Sequence, residues 1–156
     1  MATPKTHLIA LPVAPGNRRV LVASPEWVVQ NGAPQTPDDL TQLNAMTFVL
    51  RGRLHDRWTF THNGEVSSVQ VNGTIMSDDA EVIRRLAIAG EGIAYKSWLD
   101  VSEDVRDGRL QLLMPDYLGE KAPLNMICPH RKQLSTAVRL LHDAVKARCD
   151  TLGISP

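Results

Sequence analysis

A mixed α/β fold, with a sheet whose strands run in both directions and helices packed on its faces, is what this sequence predicts. Three observations predict it. Apolar runs of strand length alternate with helix starts that carry their own caps, one stretch alternates apolar and polar residues on both sides of an Asn-Gly pair, and no proline- or glycine-rich linker interrupts the chain. The 156 residues, 43% hydrophobic and 22% charged, have the composition of an ordinary globular domain.

Residues 1–7 are short, polar and proline-containing and read as a cloning remnant or a ragged, disordered start. The folded part is therefore expected over 8–150, with a tail at 151–156. The run Arg18-Arg19-Val20-Leu21-Val22-Ala23 predicts a strand buried on both faces. Ser24-Pro25-Glu26 then predicts a helix start: serine caps free N–H groups, proline suits the first helical position, and glutamate favours the positive end of the dipole. Asn31-Gly32 stops that helix. Thr36-Pro37-Asp38-Asp39 opens a second short helix in the same way, and Met46-Thr47-Phe48-Val49-Leu50 reads as a buried strand.

The clearest local signal is Arg57–His62, Asn63-Gly64, Glu65–Val71, a two-residue turn between alternating strands. Pairing His62 with Glu65 puts Phe60 opposite Ser67 and Trp58 opposite Val69, so Trp58, Phe60, Val69 and Val71 are expected to share one buried face. Asp78 and Glu81 open a helix with Val82, Ile83 and Leu86 on one side and Gly90 at its stop. Gly92–Tyr95 is a short strand. Ser97 begins a helix through Trp98, Val101 and Val105 that Asp107-Gly108 ends, and Arg109–Met114 and Leu124–Cys128 are two more strands. Ser135 caps a last helix whose Val138, Leu141 and Val145 form an apolar stripe toward a core.

Lysine plus arginine equals aspartate plus glutamate at 17 each, so no net field draws the chain to nucleic acid or to an anionic membrane. No apolar run reaches the ~18 residues of a membrane span, and the start lacks the three-part pattern of a secretory signal, which points to the cytoplasm. Cys128 and Cys149 lack metal-ligand spacing and read as buried thiols. Catalysis has no foothold either: there is no G-x-S-x-G, and Ser24, Ser77 and Ser97 all stand at helix starts, where capping is the ordinary role. Gly90-Glu91-Gly92 lacks the third glycine of a dinucleotide fingerprint. His55, Asp56 and His62 could converge near the hairpin, but exposed polar residues beside a turn explain them more simply, so no metal and no cofactor are expected.

Four segments carry a resemblance: Asn17-Arg18-Arg19-Val20-Leu21-Val22-Ala23-Ser24-Pro25, Thr36-Pro37-Asp38-Asp39-Leu40, Ala87-Ile88-Ala89-Gly90-Glu91-Gly92-Ile93-Ala94, and Cys128-Pro129-His130-Arg131-Lys132-Gln133-Leu134-Ser135. In order and spacing, and with Asp107-Gly108-Arg109-Leu110 between them, they resemble the second half of the effector domain of LysR-type transcriptional regulators. The resemblance implies a type 2 periplasmic-binding-protein-like fold, mainly its second subdomain. It also implies a truncated chain, without the helix-turn-helix and most of the first sensor subdomain, so that DNA is held only through the missing part. Arg19–Ala23 and Leu124–Cys128 would be the two crossover strands between subdomains.

The implied function is small-molecule sensing without catalysis, in a protein that self-associates as a dimer or larger species. Another reading on the same fold is a stand-alone binder or enzyme. Ligands of such sheets collect at the carboxyl ends of the strands, and the helix beginning after Ser97 presents free N–H groups and a positive dipole end there, so the effector is expected to be a small anionic metabolite. It would be held by Lys96 with its neighbours Tyr95 and Ser97, by Arg51 with Gly52, and by Ser24. Val82, Ile83, Leu86 and Ile88 would form the dimer face.

Overall fold

The computed structural model describes residues 8–129 and 134–153. His130-Arg131-Lys132-Gln133, the start at 1–7 and the last three residues of the tail lie outside them. In chain order the elements are β1 (Ile9–Ala14), β2 (Arg19–Ala23), α1 (Pro25–Asn31), a 3₁₀ turn (Pro37–Gln42), β3 (Asn44–Leu50), β4 (Arg53–His55), β5 (Arg57–His62), β6 (Glu65–Gln70), β7 (Asn72–Ser77), α2 (Ala80–Ile88), β8 (Ile93–Ser97), α3 (Trp98–Arg106), β9 (Gln111–Leu113), β10 (Leu118–Gly119), β11 (Leu124–Cys128) and α4 (Thr136–Leu152).

The central sheet runs β4-β3-β8-β2-β9, with β7 added to β3. It is mixed: β3, β7 and β8 are parallel, while β2 is antiparallel to β8 and to β9. Alternation along its strands sorts the core. Leu21, Ala23, Ala45, Ile93 and Tyr95 fall in a cluster with Trp27, Trp58 and Phe60, and Val22, Met46 and Ala94 fall in another with Ile83, Ala87, Trp98 and Val101. Helices α2 and α3 therefore cover one face. The other is covered by α1 and a second sheet, β10-β5-β6, rather than by helices alone. In that sheet the register is His62↔Glu65, Phe60↔Ser67 and Trp58↔Val69, as the alternation predicts. Trp58, Phe60, Val69 and Val71 are all buried, each large side chain contributing about 2–3 kcal/mol.

Helix starts follow the predicted chemistry with local changes. The Ser24 hydroxyl accepts from the Trp27 N–H at 3.0 Å, and the Ser135 hydroxyl accepts from Val138 N–H at 3.3 Å. At the second start the chain makes only a 3₁₀ turn, where the Asp39 carboxylate accepts from the Gln35 and Thr36 N–H groups at 2.8 and 3.1 Å. Helix α2 is capped by Asp79, one residue later than Asp78. The strand expected over Arg109–Met114 shrinks to β9, because Leu110 is drawn into the core and Met114 turns the chain at φ 48°. Thr151 and Leu152 belong to α4, so the tail begins later than residue 151.

Four strands among the described residues, β1, β4, β7 and β10, carry no signal recognised in the sequence. Strand β1 changes the reading of the crossover: β11 pairs with β1 in its own two-stranded sheet, while Arg19–Ala23 lies inside the central sheet between β8 and β9. The segments entering and leaving the subdomain side by side are thus β1 and β11. Helix α4 packs on this ribbon through Val145 and Cys149, near Val13, Ala14, Leu99 and Met126. Leu141 does not share that face and is 56% exposed. Cys128 and Cys149 are both buried free thiols.

Candidate functional site

In a sheet of this kind the strands end where helices begin, and the backbone donors of the helix starts meet side chains projecting from strand termini. Here β3 and β8 end beside the amino ends of α2 and α3. A cavity of about 90 Å³ opens there, lined by Arg19, Phe48, His55, Tyr95, Lys96, Ser97 and Asp100 among others. Arg19 arrives from β2, whose first residue pairs with Ser97, the last residue of β8.

Lys96 is 6% exposed and its charge is already matched. Its ammonium donates to the Ala80 carbonyl at 2.6 Å and lies 2.7 Å from the Asp100 carboxylate, one helical turn on. The Tyr95 phenol donates to the Thr59 carbonyl at 2.7 Å and accepts from the Glu120 N–H at 2.6 Å. Burial among Trp58 and Phe60, with ring centroids 5.2 and 5.0 Å away, pushes the Tyr95 pKa upward, so the phenol stays neutral. Glu120 is the hub. One oxygen lies 3.2 Å from His55 Nε2 and 3.4 Å from Arg19 Nε, and the other accepts from the Thr59 N–H at 3.2 Å.

The segments that meet here are stapled by a buried amide. Asn17 Nδ2 donates to the Ser97 hydroxyl and to the Ala122 carbonyl, both at 2.7 Å, and Asn17 Oδ1 accepts from the Leu99 N–H at 3.3 Å. Close approach is also required of Gly119: a Cβ there would lie 1.9 Å from the Arg19 carbonyl oxygen and 2.9 Å from the Tyr95 hydroxyl, so only glycine fits.

The structure brings Lys96, Tyr95 and Ser97 together at this cavity, and separates the other residues named for the effector. Arg51 and Gly52 form the exposed tip between β3 and β4, at φ 52° and 75°, and Arg51 borders a neighbouring concavity with Leu50, Arg53, Leu54 and His55. Among the described residues only His55 borders both. Ser24 stands at the opposite end of the sheet, because β2 runs against β8; it is fully buried and its hydroxyl serves as the α1 cap. His55, Asp56 and His62 have separate partners, Glu120, Gln70 and the Asp116 carbonyl. Of the expected dimer face, Ile83 lies in the chain's own core at 2% exposure, while Val82 is 40% exposed and Leu86 and Ile88 are partly so.

Arg19, His55, Asp100 and Glu120 were not expected at the site. The four-residue spacing of Lys96 and Asp100 was a usable signal for one pair. Arg19 read only as a strand entry, and Glu120 fell outside every expected element.

Residues 2–150 match the LysR substrate binding domain. The HTH-type transcriptional regulator DmlR of Escherichia coli K12 is 31% identical over 134 residues, 86% of this chain and 42% of DmlR. The chain spans less than half the length of the curated relatives it matches first. The regulatory domain of AphB from Vibrio vulnificus superposes with a TM-score of 0.73 at 26% identity, covering 96% of this chain and 73% of that one. The regulatory domain of CrgA, a LysR-type regulator from Neisseria meningitidis, shares the fold at a TM-score of 0.74 and 20% identity, covering 95% and 72%. With a periplasmic-binding-protein-like fold common to those regulatory domains and a match along nearly all of its sequence, the chain belongs to the LysR substrate-binding domain family.

Proposed function

We propose that this chain senses a small anionic metabolite for a cytoplasmic LysR-type regulator and catalyses no reaction. The observation that carries the reading is the placement of two cationic side chains, Arg19 and Lys96, on one cavity wall at the carboxyl ends of β3 and β8. They differ in availability. Lys96 is matched by Asp100, whereas Arg19 has an ion pair at 3.4 Å and, among the described residues, no side-chain hydrogen bond. A planar guanidinium with donors to spare suits a carboxylate or phosphate. The cavity, about 90 Å³, is well below the ~300 Å³ of a metabolite site. It therefore serves as one wall, which the second lobe of a periplasmic-binding-like sensor would complete. Ser97 and Tyr95 supply polar edges and Lys96 a neutralised rim, while Arg51 and Gly52 stand one concavity away.

Against catalysis, the serines weighed as nucleophiles already accept hydrogen bonds: Ser24 from Trp27, Ser77 from the Asp79 N–H, and Ser97 from Asn17. Balanced charge supports DNA being held through a domain other than this one. No helix among the described residues is long and apolar enough to cross a membrane. The exposed Val82 of α2, beside the half-buried Leu86 and Ile88, supports self-association.

An amide- and guanidinium-resolved NMR titration of the chain with succinate or inorganic phosphate tests the site. Shifts are expected to cluster at Arg19, Phe48 and Ser97, and Arg19→Met should abolish binding at the anion concentrations that saturate the wild type. Shifts scattered over surface lysines and unchanged in Arg19→Met would refute the assignment.

A further inference from the structure

Glu120 holds both Arg19 and His55 with one carboxylate oxygen, and it does so beside the two segments that lead out of the subdomain. Its backbone carbonyl accepts from the Arg19 N–H at 2.8 Å, its neighbour Lys121 bridges Arg18, and β11 begins four residues on at Leu124. Arg19 in turn lies five residues after β1 ends. The ion pair thus ties the root of one connecting strand to the root of the other. The side chains of Arg19 and Glu120 are both 24% exposed, so water and small solutes reach the pair.

From this geometry we infer that Glu120 is an internal surrogate for the effector's anionic group: its carboxylate competes with the effector for Arg19 and His55, and is released from them when the effector binds. The inference rests on the proposed site and adds its regulation. Two acceptors cannot both take the best position on one guanidinium, so anion affinity is set by the difference between the incoming group and Glu120. Release has a direction. Once its Oε2 contacts are replaced, Glu120 keeps the Thr59 N–H on Oε1 but loses its side-chain hold on the start of β2, so the two connecting strands lose a cross-tie at the moment of binding. Differential contact of this kind is what a ligand needs to shift a conformational equilibrium. Asp100 does not play this part, since Lys96 is also anchored to the Ala80 carbonyl and stays buried.

The decisive variant is Glu120→Gln, which retains an oxygen for the Thr59 N–H and removes the charge. The chain and its Glu120→Gln and Arg19→Met variants are titrated with succinate and with inorganic phosphate, read at the Arg19 guanidinium and His55 ring signals, with amide dispersion checking that each variant is folded. Anion affinity should rise roughly three- to fivefold in Glu120→Gln, the size of a partly exposed ion pair, and be lost in Arg19→Met. If Arg19→Met abolishes binding while Glu120→Gln leaves it unchanged or weaker, the surrogate role is wrong and the site stands. If anions bind equally to wild type and Arg19→Met, or move Arg19 in neither wild type nor Glu120→Gln at high millimolar concentration, the site itself is wrong. Should Arg19→Met lose amide dispersion, Arg19→Lys replaces it; that variant keeps the charge without the planar fork and is expected to bind more weakly than wild type.

Discussion

Asp104 shows how much a single side chain can fix here. It sits in the middle of α3 at 1% exposure, and its two oxygens accept from Arg84 Nε and Nη2 at 2.7 and 2.9 Å and from Arg109 Nε at 2.8 Å. Arg84 belongs to α2 and Arg109 follows α3, so one carboxylate joins two helices and the entry to β9. Burial alone would raise its pKa, but the hydrogen bonds from Arg84 and Arg109 outweigh burial and hold it below the ordinary carboxylate value. The folded state thus releases this proton more readily than the unfolded chain does. Its stabilisation is complete above about pH 4, where the unfolded carboxyl is ionised, and drains away as pH falls through the lower folded-state value. Asp104→Asn should cost about 3 kcal/mol at pH 7 by urea unfolding, with the gap to wild type narrowing toward pH 3. An equal gap at both pH values would show that the packing of the side chain, rather than its charge, matters.

Among the elements, β7 pairs in parallel with β3 through a register that shifts between Asn44 and Met46. Gly73 is opposite that shift, where a Cβ would lie 1.6 Å from the Ala45 carbonyl oxygen. Gly73→Ala should therefore detach β7, costing about 3 kcal/mol or more, and hydrogen exchange should show Ile75 and Met76 losing protection while β5 and β6 keep theirs. The contrast explains what could be read beforehand. The β5–β6 hairpin is specified by six consecutive residues on either side of its turn, so pairing, register and buried face were all legible. Strand β7, Asn-Gly-Thr-Ile-Met-Ser, is a mostly exposed edge with no apolar run, and its partner lies some thirty residues earlier across an entire hairpin. Strand β4 is three residues long and inherits its conformation from the Arg51-Gly52 turn. The site divides the same way. Lys96, Tyr95 and Ser97 came from the end of one strand, whereas Glu120 reaches Arg19 and His55 only after the chain has folded around all of them. Ser24 was misplaced because strand direction, antiparallel between β2 and β8, is not written in either run.

Seen whole, the molecule leaves apolar side chains uncovered among the described residues, those of α2, β7 and the β1–β11 ribbon among them. Val82 on α2 and Met76 on β7 are 40% and 62% exposed, and Leu8, Leu124 and Ile127 along the β1–β11 ribbon are 59%, 42% and 56% exposed. Patches of this kind promote association. Sedimentation velocity should show a dimer or larger species that grows with concentration, and Val82→Lys should shift it toward monomer. A single monomeric boundary at all concentrations would count against self-association of this chain.

The pairing of β1 with β11 has a mechanical meaning of its own. The two strands run antiparallel from Ile9↔Cys128 to Ala14↔Leu124, paired residue by residue up to a register shift between Pro12 and Ala14. To slide past each other they would have to break those pairings together and re-form them about 7 Å along, since a smaller step would turn every side chain to the wrong face. Bending and twisting need no such rupture, and a two-stranded ribbon accommodates twist readily. The pair is therefore stiff along its length and compliant about its axis, so a rotation applied at the roots near Arg19 and Glu120 is taken up as twist of the ribbon without either strand slipping past the other.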